Sequence, residues 1–110
     1  MPAQYILGKS ANNQFYFNLT AENNETILTS EMYISKSNAK DGIQSVRINS
    51  PREDRYSKLT ASNGKYYFNL KAANNETIGT SEMYNTTQAR DNGIRAVQKV
   101  GPDAEINDRT

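Results

Sequence analysis

The side chains that could do chemistry in this chain are carboxylates, amides, hydroxyls and amines, because it contains no histidine and no cysteine. A Ser–His or Cys–His catalytic pair is therefore impossible, and the usual zinc and copper ligands are missing. We expect no metal and no cofactor. One carboxylate pair remains for acid–base chemistry, Glu31 and Glu82, which occupy equivalent positions in two TSEMY words. Nothing in the sequence brings these two into one cleft, so we favour solvated or salt-bridged surface residues.

Charge is balanced along the chain. Thirteen basic and twelve acidic residues are interspersed over 110 residues, giving a formal net charge of +1. Duplex nucleic acid is usually bound by a basic stripe that releases counterions, so we expect nucleic acid not to be a partner. The pattern is typical of a mixed, solvated surface.

The N-terminal residues show no targeting signal. Met1–Tyr5 contains neither a basic segment nor the start of an apolar one. No apolar run approaches the roughly 20 residues of a membrane helix. We therefore expect a cytoplasmic protein without a membrane partner.

The chain repeats itself with a constant shift of 51 residues. NNETI at Asn23–Ile27 returns unchanged at Asn74–Ile78, and TSEMY at Thr29–Tyr33 returns unchanged at Thr80–Tyr84. Chance does not give such words twice at one spacing, so the chain is a tandem duplicate.

Each copy begins with three predicted strands, rich in aromatic residues and separated by turns rich in asparagine. The turn at Asn12-Asn13 corresponds to Asn63-Gly64, a pair typical of hairpins in which both residues adopt positive φ. The predicted strands are Tyr5–Lys9, Gln14–Thr20 and Thr26–Tyr33, followed in the second copy by Tyr56–Thr60, Lys65–Lys71 and Thr77–Tyr84.

A helix follows in each copy, with Ser35 or Thr86 as its N-cap. Ala39, Ile43 and Val46 fall on one helical face. The corresponding face of the second helix is formed by Arg90, Ile94 and Val97, and we expect the head of Arg90 to stay in water.

Glycine recurs in the middle of both predicted helices, at Gly42 and Gly93, where it costs about 0.5–1 kcal/mol relative to alanine. Its presence in both copies predicts a close approach of helix to sheet. Pro51 and Pro102 follow the helices as stop signals. Short last strands are predicted at Glu53–Tyr56 and Ala104–Asp108.

The words FYFNL, NNETI and TSEMY and the GI dipeptide, found twice in order, closely resemble the tandem-repeat form of the YegP-like family, small bacterial proteins of unknown function. The resemblance covers Tyr5 to Asp108. It implies β-β-β-α-β units that assemble into one sheet, with C-terminal strands exchanged between the halves. It implies no activity.

These observations predict an α+β fold, in which two β-β-β-α-β repeats form a single antiparallel sheet with exchanged C-terminal strands and two helices on one face. Residues 1–110 are expected to form one domain, with repeats at about 5–51 and 56–108, because no flexible linker separates the copies. A continuous strand near Glu53–Thr60 would join the halves. We expect a monomer with internal pseudo-two-fold symmetry.

The predicted sheet has a second face, which the helices leave open. The alternation that turns Phe17 toward the helices turns Tyr16 and Asn18 away. On the third strand we expect Ser30 and Met32 to face the helices and their neighbours to face outward. The candidate binding residues are Tyr16, Asn18, Glu31, Tyr33, Tyr67, Asn69, Glu82 and Tyr84.

Two functions remain open at this point. The first is a non-enzymatic binding or structural module, with stress physiology as one setting, whose contact surface is the open face. The alternative is a single-stranded nucleic-acid binder that stacks bases on the same tyrosines. Its candidate phosphate contacts are Lys9, Arg47, Lys58 and Lys71. A third interpretation is that the tyrosines only stabilise strand pairing.

Overall fold

The structure, a computed structural model, describes residues 2–110. Met1, the first residue of the N-terminal segment in which we expect no targeting signal, lies outside the described residues. The strands are β1 Gln4–Lys9, β2 Phe15–Thr20, β3 Thr26–Ser30, β4 Tyr56–Thr60, β5 Tyr66–Lys71, β6 Thr77–Thr80 and β7 Glu105–Asp108. The helices are α1 Lys36–Asn49 and α2 Thr87–Val100, and a 3-10 turn spans Glu53–Arg55.

All seven strands form one sheet, in the order β4-β5-β6-β3-β2-β1-β7. At its centre Thr29 lies opposite Thr80, its equivalent in the second copy, so the pseudo-two-fold relation passes between β3 and β6. Phe17 and Phe68 belong to one buried core, together with apolar residues of both helices. The predicted α+β fold with tandem repeats in a single sheet is confirmed.

The hairpin turns differ from the predicted type. Asn13 has φ 66° and Gly64 has φ 82°, whereas the residue before each is not left-handed. The carbonyl oxygen of Ser10 accepts from the amide of Asn13 at 3.0 Å. The loop is therefore a turn closed by one left-handed residue, and the expectation of two positive φ angles was wrong.

The helices begin at the predicted caps. The hydroxyl of Ser35 accepts from the amide of Asn38 at 3.0 Å, and that of Thr86 accepts from the amide of Ala89 at 3.0 Å. Each bond satisfies one of the amides that a helix N-terminus leaves without a partner.

Arg90 lies on the buried face of α2 as predicted, but its head is not in water. The residue is only 9% exposed. Its guanidinium lies 5.7 Å from the centroid of the Tyr66 ring, and its Nε donates to Asp91 at 3.2 Å. The ring of Tyr66 and the carboxylate of Asp91 replace the water that we expected around the guanidinium of Arg90.

The C-terminal strand β7 crosses to the other half of the molecule, as predicted. Ile106 lies opposite Tyr5 of β1. The pairing is parallel, however, so the sheet is mixed and the expectation of a wholly antiparallel sheet was wrong. In the first copy the equivalent residues, 54–57, run into β4 itself. In the other half of the sheet, β1 already occupies the position equivalent to that of β4. β7 therefore lies beside β1 and runs in the same direction.

The strand predicted over Glu53–Thr60 is shorter than expected, because Glu53–Arg55 is a 3-10 turn and β4 begins at Tyr56. The Tyr56 hydroxyl donates to the carbonyl oxygen of Ser50 at 2.7 Å. This bond holds the start of β4 against the end of α1, so the chain must turn between them. The predictions of a continuous strand and of a last strand at Glu53–Tyr56 were wrong.

Candidate binding face of the sheet

One row of side chains crosses all seven strands on the face that the helices leave open. Strand register places its members directly opposite one another, and opposite residues share a face. Every member is partly exposed and none is charged. This central row consists of Ser57, Asn69, Thr80, Thr29, Asn18, Ile6 and Asn107.

The central row is partly organised by its own hydrogen bonds. The hydroxyl of Thr80 donates to the amide oxygen of Asn69 at 3.0 Å. At one end of the row, the side-chain N–H of Asn107 donates to the side-chain oxygen of the neighbouring Gln4 at 3.0 Å. Asn69 keeps its amide N–H groups and Thr80 keeps its oxygen lone pairs, so the row has donors and acceptors for a partner.

Tyr16 and Tyr67 flank the central row on opposite sides, because β2 and β5 are related by the pseudo-two-fold axis. Tyr16 lies opposite Gly8, and a Cβ added to that glycine would lie 2.8 Å from Tyr16 Cζ. The ring therefore covers the glycine. Tyr67 lies opposite Leu59. Both tyrosines remain partly exposed, as the sequence predicted.

Tyr33 does not lie on the open face, and this placement was wrong. β2 and β3 pair at Asn18–Thr29 but come into register again at Phe15–Tyr33, so β3 contributes one extra residue. The extra residue reverses the alternation of side chains. The ring of Tyr33 consequently stacks on Phe17, with centroids 6.3 Å apart and an interplanar angle of 10°.

A serine fixes this irregularity in each copy. The hydroxyl of Ser30 accepts from the amide of Phe17 at 2.9 Å and donates to the carbonyl of Glu31 at 2.8 Å. Ser81 accepts from Phe68 in the same way, at 2.9 Å. The side chain thus replaces a strand partner, and the third strands end early.

Tyr84 follows Tyr33 to the helix side, and both hydroxyls contact a helical glycine. A Cβ added to Gly42 would collide with the hydroxyl of Tyr33, and one added to Gly93 would collide with that of Tyr84. The predicted close approach at these glycines is confirmed. Met32, expected to face the helices, is 55% exposed instead, because the irregularity turns it out.

Burial raises the pKa of Tyr33, and the Glu31 carboxylate raises it further. The pKa of Tyr84 is raised by burial and then by Glu82 and Glu25. Each candidate carboxylate therefore lies near the tyrosine of its own copy. Because β3 and β6 are antiparallel about Thr29 and Thr80, the two glutamates diverge by four residues, roughly 13 Å along the strands. The structure does not bring them together as a pair.

The four candidate phosphate contacts are dispersed. Lys9 Nζ lies 5.6 Å from the Phe15 ring centroid, on the helix side. Arg47 donates to the carbonyl of Ala104 at 2.7 Å. Lys58 pairs with Asp91 of α2 at 3.3 Å. Lys71 follows the buried Leu70 on β5, so its side chain lies on the open face. The other three candidates do not.

The outer members of the central row were not predicted from the sequence. Ser57 and Asn107 join it only through the pairings of β4 with β5 and of β7 with β1. The sequence feature that could have predicted Ser57 is its equivalence to Ile6 in the repeat. Within residues 2–110 no group of three potential ligands is arranged to hold a metal ion, and no helix is long and apolar enough to cross a membrane.

Comparison with known proteins identifies the repeat unit. A family model described as a domain of unknown function, DUF1508, matches residues 10–57 and again residues 61–108. The chain belongs to the DUF1508 family. Its two DUF1508 units correspond to the tandem copies, and the resemblance to the YegP-like family is confirmed.

The DUF1508 relatives span the whole chain. It is 56% identical over 110 residues to the UPF0339 protein YegP of Escherichia coli K12, with 100% of both chains covered. It is 53% identical over 106 residues to a UPF0339 protein of Bordetella pertussis, with 96% of each covered.

Two solved structures have the same DUF1508 fold. The solution NMR structure of Escherichia coli YegP, described as a protein of unknown function, has a TM-score of 0.94 at 56% identity, covering 100% of this chain and 95% of that chain. That of a Shewanella oneidensis UPF0339 protein has a TM-score of 0.91 at 56% identity, covering 98% and 92%. The names of these relatives state no biochemical activity.

Proposed function

We propose that this bacterial protein is a non-enzymatic binding module and that the open sheet face is its contact surface. The observation that supports this is the central row, which crosses all seven strands without a charged side chain. Six strand spacings make the face roughly 29 Å wide. A face of that width, with an uncharged central row rich in hydrogen-bonding groups, is suited to docking a folded partner.

The chemistry of the face favours a protein partner. Tyrosine is enriched at interfaces, where its ring packs and its hydroxyl finds a hydrogen bond, and charged residues are depleted from interface centres. Tyr16 and Tyr67 provide two such rings, one on each side of the central row. The amides of Asn18 and Asn69 provide directional hydrogen bonds between them.

The nucleic-acid alternative has less support. Stacking on tyrosine has to be joined by cations that follow the phosphates. Lys9, Arg47 and Lys58 belong to the helix side and contact an aromatic ring, a main-chain carbonyl and a carboxylate. A fluorescence titration at low salt with mixed-sequence oligonucleotides is expected to show no binding. Saturable binding lost on Tyr16→Ala and Tyr67→Ala would replace the present proposal.

Photo-crosslinking in bacterial cells tests the proposed surface. A photoreactive phenylalanine analogue replaces Tyr16 or Tyr67 in separate strains, and Ile48 in a third. Ile48 is the matched control because it is 71% exposed on α1, away from the open face. We expect the same partner to be crosslinked from positions 16 and 67 and not from 48. Equal crosslinking at all three positions, or none at 16 and 67, would remove the open face as the contact surface.

The cytoplasmic location, the monomeric state, the single cooperative domain and a part in stress physiology stay predictions. The first two are checked together by fractionating cells and measuring the mass of the native chain in the cytoplasmic fraction.

A further inference from the structure

The two words that return unchanged in the repeat, NNETI and TSEMY, meet each other across the pseudo-two-fold axis. Because β3 and β6 are antiparallel about Thr29 and Thr80, NNETI of one copy lies beside TSEMY of the other. Together the two words line a cleft of about 370 Å³. Its lining residues, all from the two words, are Glu25, Thr26, Ile27, Glu82, Met83 and Tyr84.

The fold explains why some members of these words are the same in both copies. Asn24 and Asn75 have φ 68° and 71°, a conformation that asparagine adopts more readily than most residues. Ile27 and Ile78 are buried. The serines and tyrosines of TSEMY form the strand irregularity and the contacts with helical glycines described above. The remaining members are exposed and have no such part in the fold: Glu25, Glu76, Glu31, Glu82, Met32 and Met83.

Exposed positions elsewhere in the repeat have diverged. The exposed Ile34 and Ile48 of the first copy correspond to Asn85 and Lys99 in the second. The exposed glutamates and methionines of the two words have not changed, although they are equally open to solvent. Their retention in both copies therefore indicates a contact with something outside the chain.

The charge of the cleft is negative. It is lined by the carboxylates of Glu25 and Glu82 and, within residues 2–110, by no lysine or arginine. Neither carboxylate forms an ion pair with another part of the described chain. Burial raises the pKa of Tyr84, and Glu82 and Glu25 raise it further, so both charges act on the same ring. The cleft is thus complementary to a cation.

The chain contains one example of how such groups hold a cation. The guanidinium of Arg90 lies 5.7 Å from the centroid of the Tyr66 ring, and its Nε donates to Asp91. The cleft offers the same two kinds of group, a tyrosine ring and carboxylates. It adds the thioether of Met83, a polarizable surface on which the aliphatic stem of an arginine can pack. A guanidinium has five N–H donors and no acceptor, which suits a pair of carboxylates.

We propose that this cleft binds an arginine side chain of a protein partner and that its equivalent in the repeat binds a second one. The equivalent site is formed by Glu76, Thr77, Ile78, Glu31, Met32 and Tyr33. Arginine and methionine are both enriched at protein interfaces, and arginine binds carboxylates through two parallel hydrogen bonds. The two sites lie at opposite ends of β3 and β6 and do not depend on the open sheet face.

The methionine methyl groups report on the two sites separately in an NMR titration. The full chain, labelled at its methionine methyls, is titrated at low ionic strength with a blocked tripeptide of alanine, arginine and alanine. We expect saturable shifts of both the Met83 and the Met32 methyl signals. Absence of saturable shifts up to about 10 mM peptide, or a response of only one of the two methyls, would overturn the proposal.

Two altered peptides test the chemistry of the ligand. Citrulline in place of arginine keeps the shape and removes the charge, so binding should weaken at least tenfold. Lysine keeps the charge but cannot form two parallel hydrogen bonds with a carboxylate, so it should bind several-fold more weakly than arginine. Equal binding of the citrulline peptide would overturn the proposal, and equal binding of the lysine peptide would overturn the assignment to arginine.

A variant of one site uses the other as its matched control in the same molecule. Glu25→Gln together with Glu82→Gln should weaken the response of Met83 at least tenfold and leave that of Met32 unchanged, since the second site has its own carboxylates. These side chains are exposed, so the fold should be unaffected. An unchanged response of Met83, or an equal loss at both methyls, would contradict binding at the two clefts.

Discussion

Leu28 and Gly79 occupy equivalent positions in the two copies and meet next to the pseudo-two-fold axis. A Cβ added to Gly79 would lie 2.6 Å from Leu28 Cγ, so only one leucine fits between the halves. Ser50 and Gly101 form a second equivalent pair of this kind, in which a Cβ added to the glycine would lie 2.5 Å from Ser50 Oγ. The repeat departs from identity at these positions because the symmetric side chains would collide.

The first prediction concerns that single leucine. Leu28→Ala should reduce the free energy of unfolding by about 2–5 kcal/mol through the cavity it leaves. Gly79→Leu should reduce it by about 1–3 kcal/mol or more through overpacking. The double variant, Leu28→Ala with Gly79→Leu, should recover most of both losses, because one leucine again fills the site. Urea unfolding measures all three, and losses that simply add would show that the two positions do not share a site.

The second prediction concerns Gly42. Alanine in a helix interior is normally favourable by about 0.5–1 kcal/mol. Here its Cβ would meet the Tyr33 hydroxyl, so we expect Gly42→Ala to lower the free energy of unfolding by about 1–3 kcal/mol. In a Tyr33→Ala background the same change should become stabilising.

Gly93 and Tyr84 offer an independent repetition in the same chain. Chemical denaturation of the natural chain, the two single variants and the double variant at each site checks the effect. A stabilising Gly42→Ala in the natural background would show that Tyr33 does not fill this space.

The third prediction concerns pH. Hydrogen bonds from Lys36 and then Thr110 hold the pKa of Asp108 well below its usual range. A lowered pKa in the folded state means that the ion pair supports the docking of β7 fully above the unfolded value of about 3.9. That support is lost as pH falls further toward the folded pKa. We expect β7 amides to lose protection in this acid window before those of β5 and β6 do.

Asp108→Asn is the control for this effect, since it removes the titrating group. Its β7 should open more readily at neutral pH and show no additional step below about pH 3.9. Hydrogen exchange resolved by residue makes the comparison. An acid step of equal size in both proteins would assign it to another group.

Some features of the fold were predictable because each copy repeats the same signal. The caps at Ser35 and Thr86 and the buried faces of the helices follow from local hydrogen bonding and helical period, and the structure has both. The side on which Tyr33 and Tyr84 lie was not predictable, because one extra residue at Ser30 or Ser81 reverses the alternation without changing the composition.

Features that depend on distant parts of the chain were also beyond sequence analysis. The parallel direction of β7 is fixed by β1, which lies about a hundred residues earlier in the chain. The central row of the open face is complete only when Ser57 and Asn107 are brought in from the sheet edges. Neither is encoded in a local pattern.

Deletion of residues 103–110 tests most directly whether the two copies form one cooperative sheet. β7 belongs to the second copy but pairs with β1 of the first, and the hydroxyl of Tyr5 donates to the carbonyl of Gly101 at 2.5 Å. Removing the strand should therefore reduce amide protection on the order of tenfold in β1 and β2 as well as at the end of α2. Thermal unfolding should remain a single transition at a lower temperature. Unchanged protection over Gln4–Thr20, or two separate transitions on heating, would contradict a shared sheet and would show two independent domains.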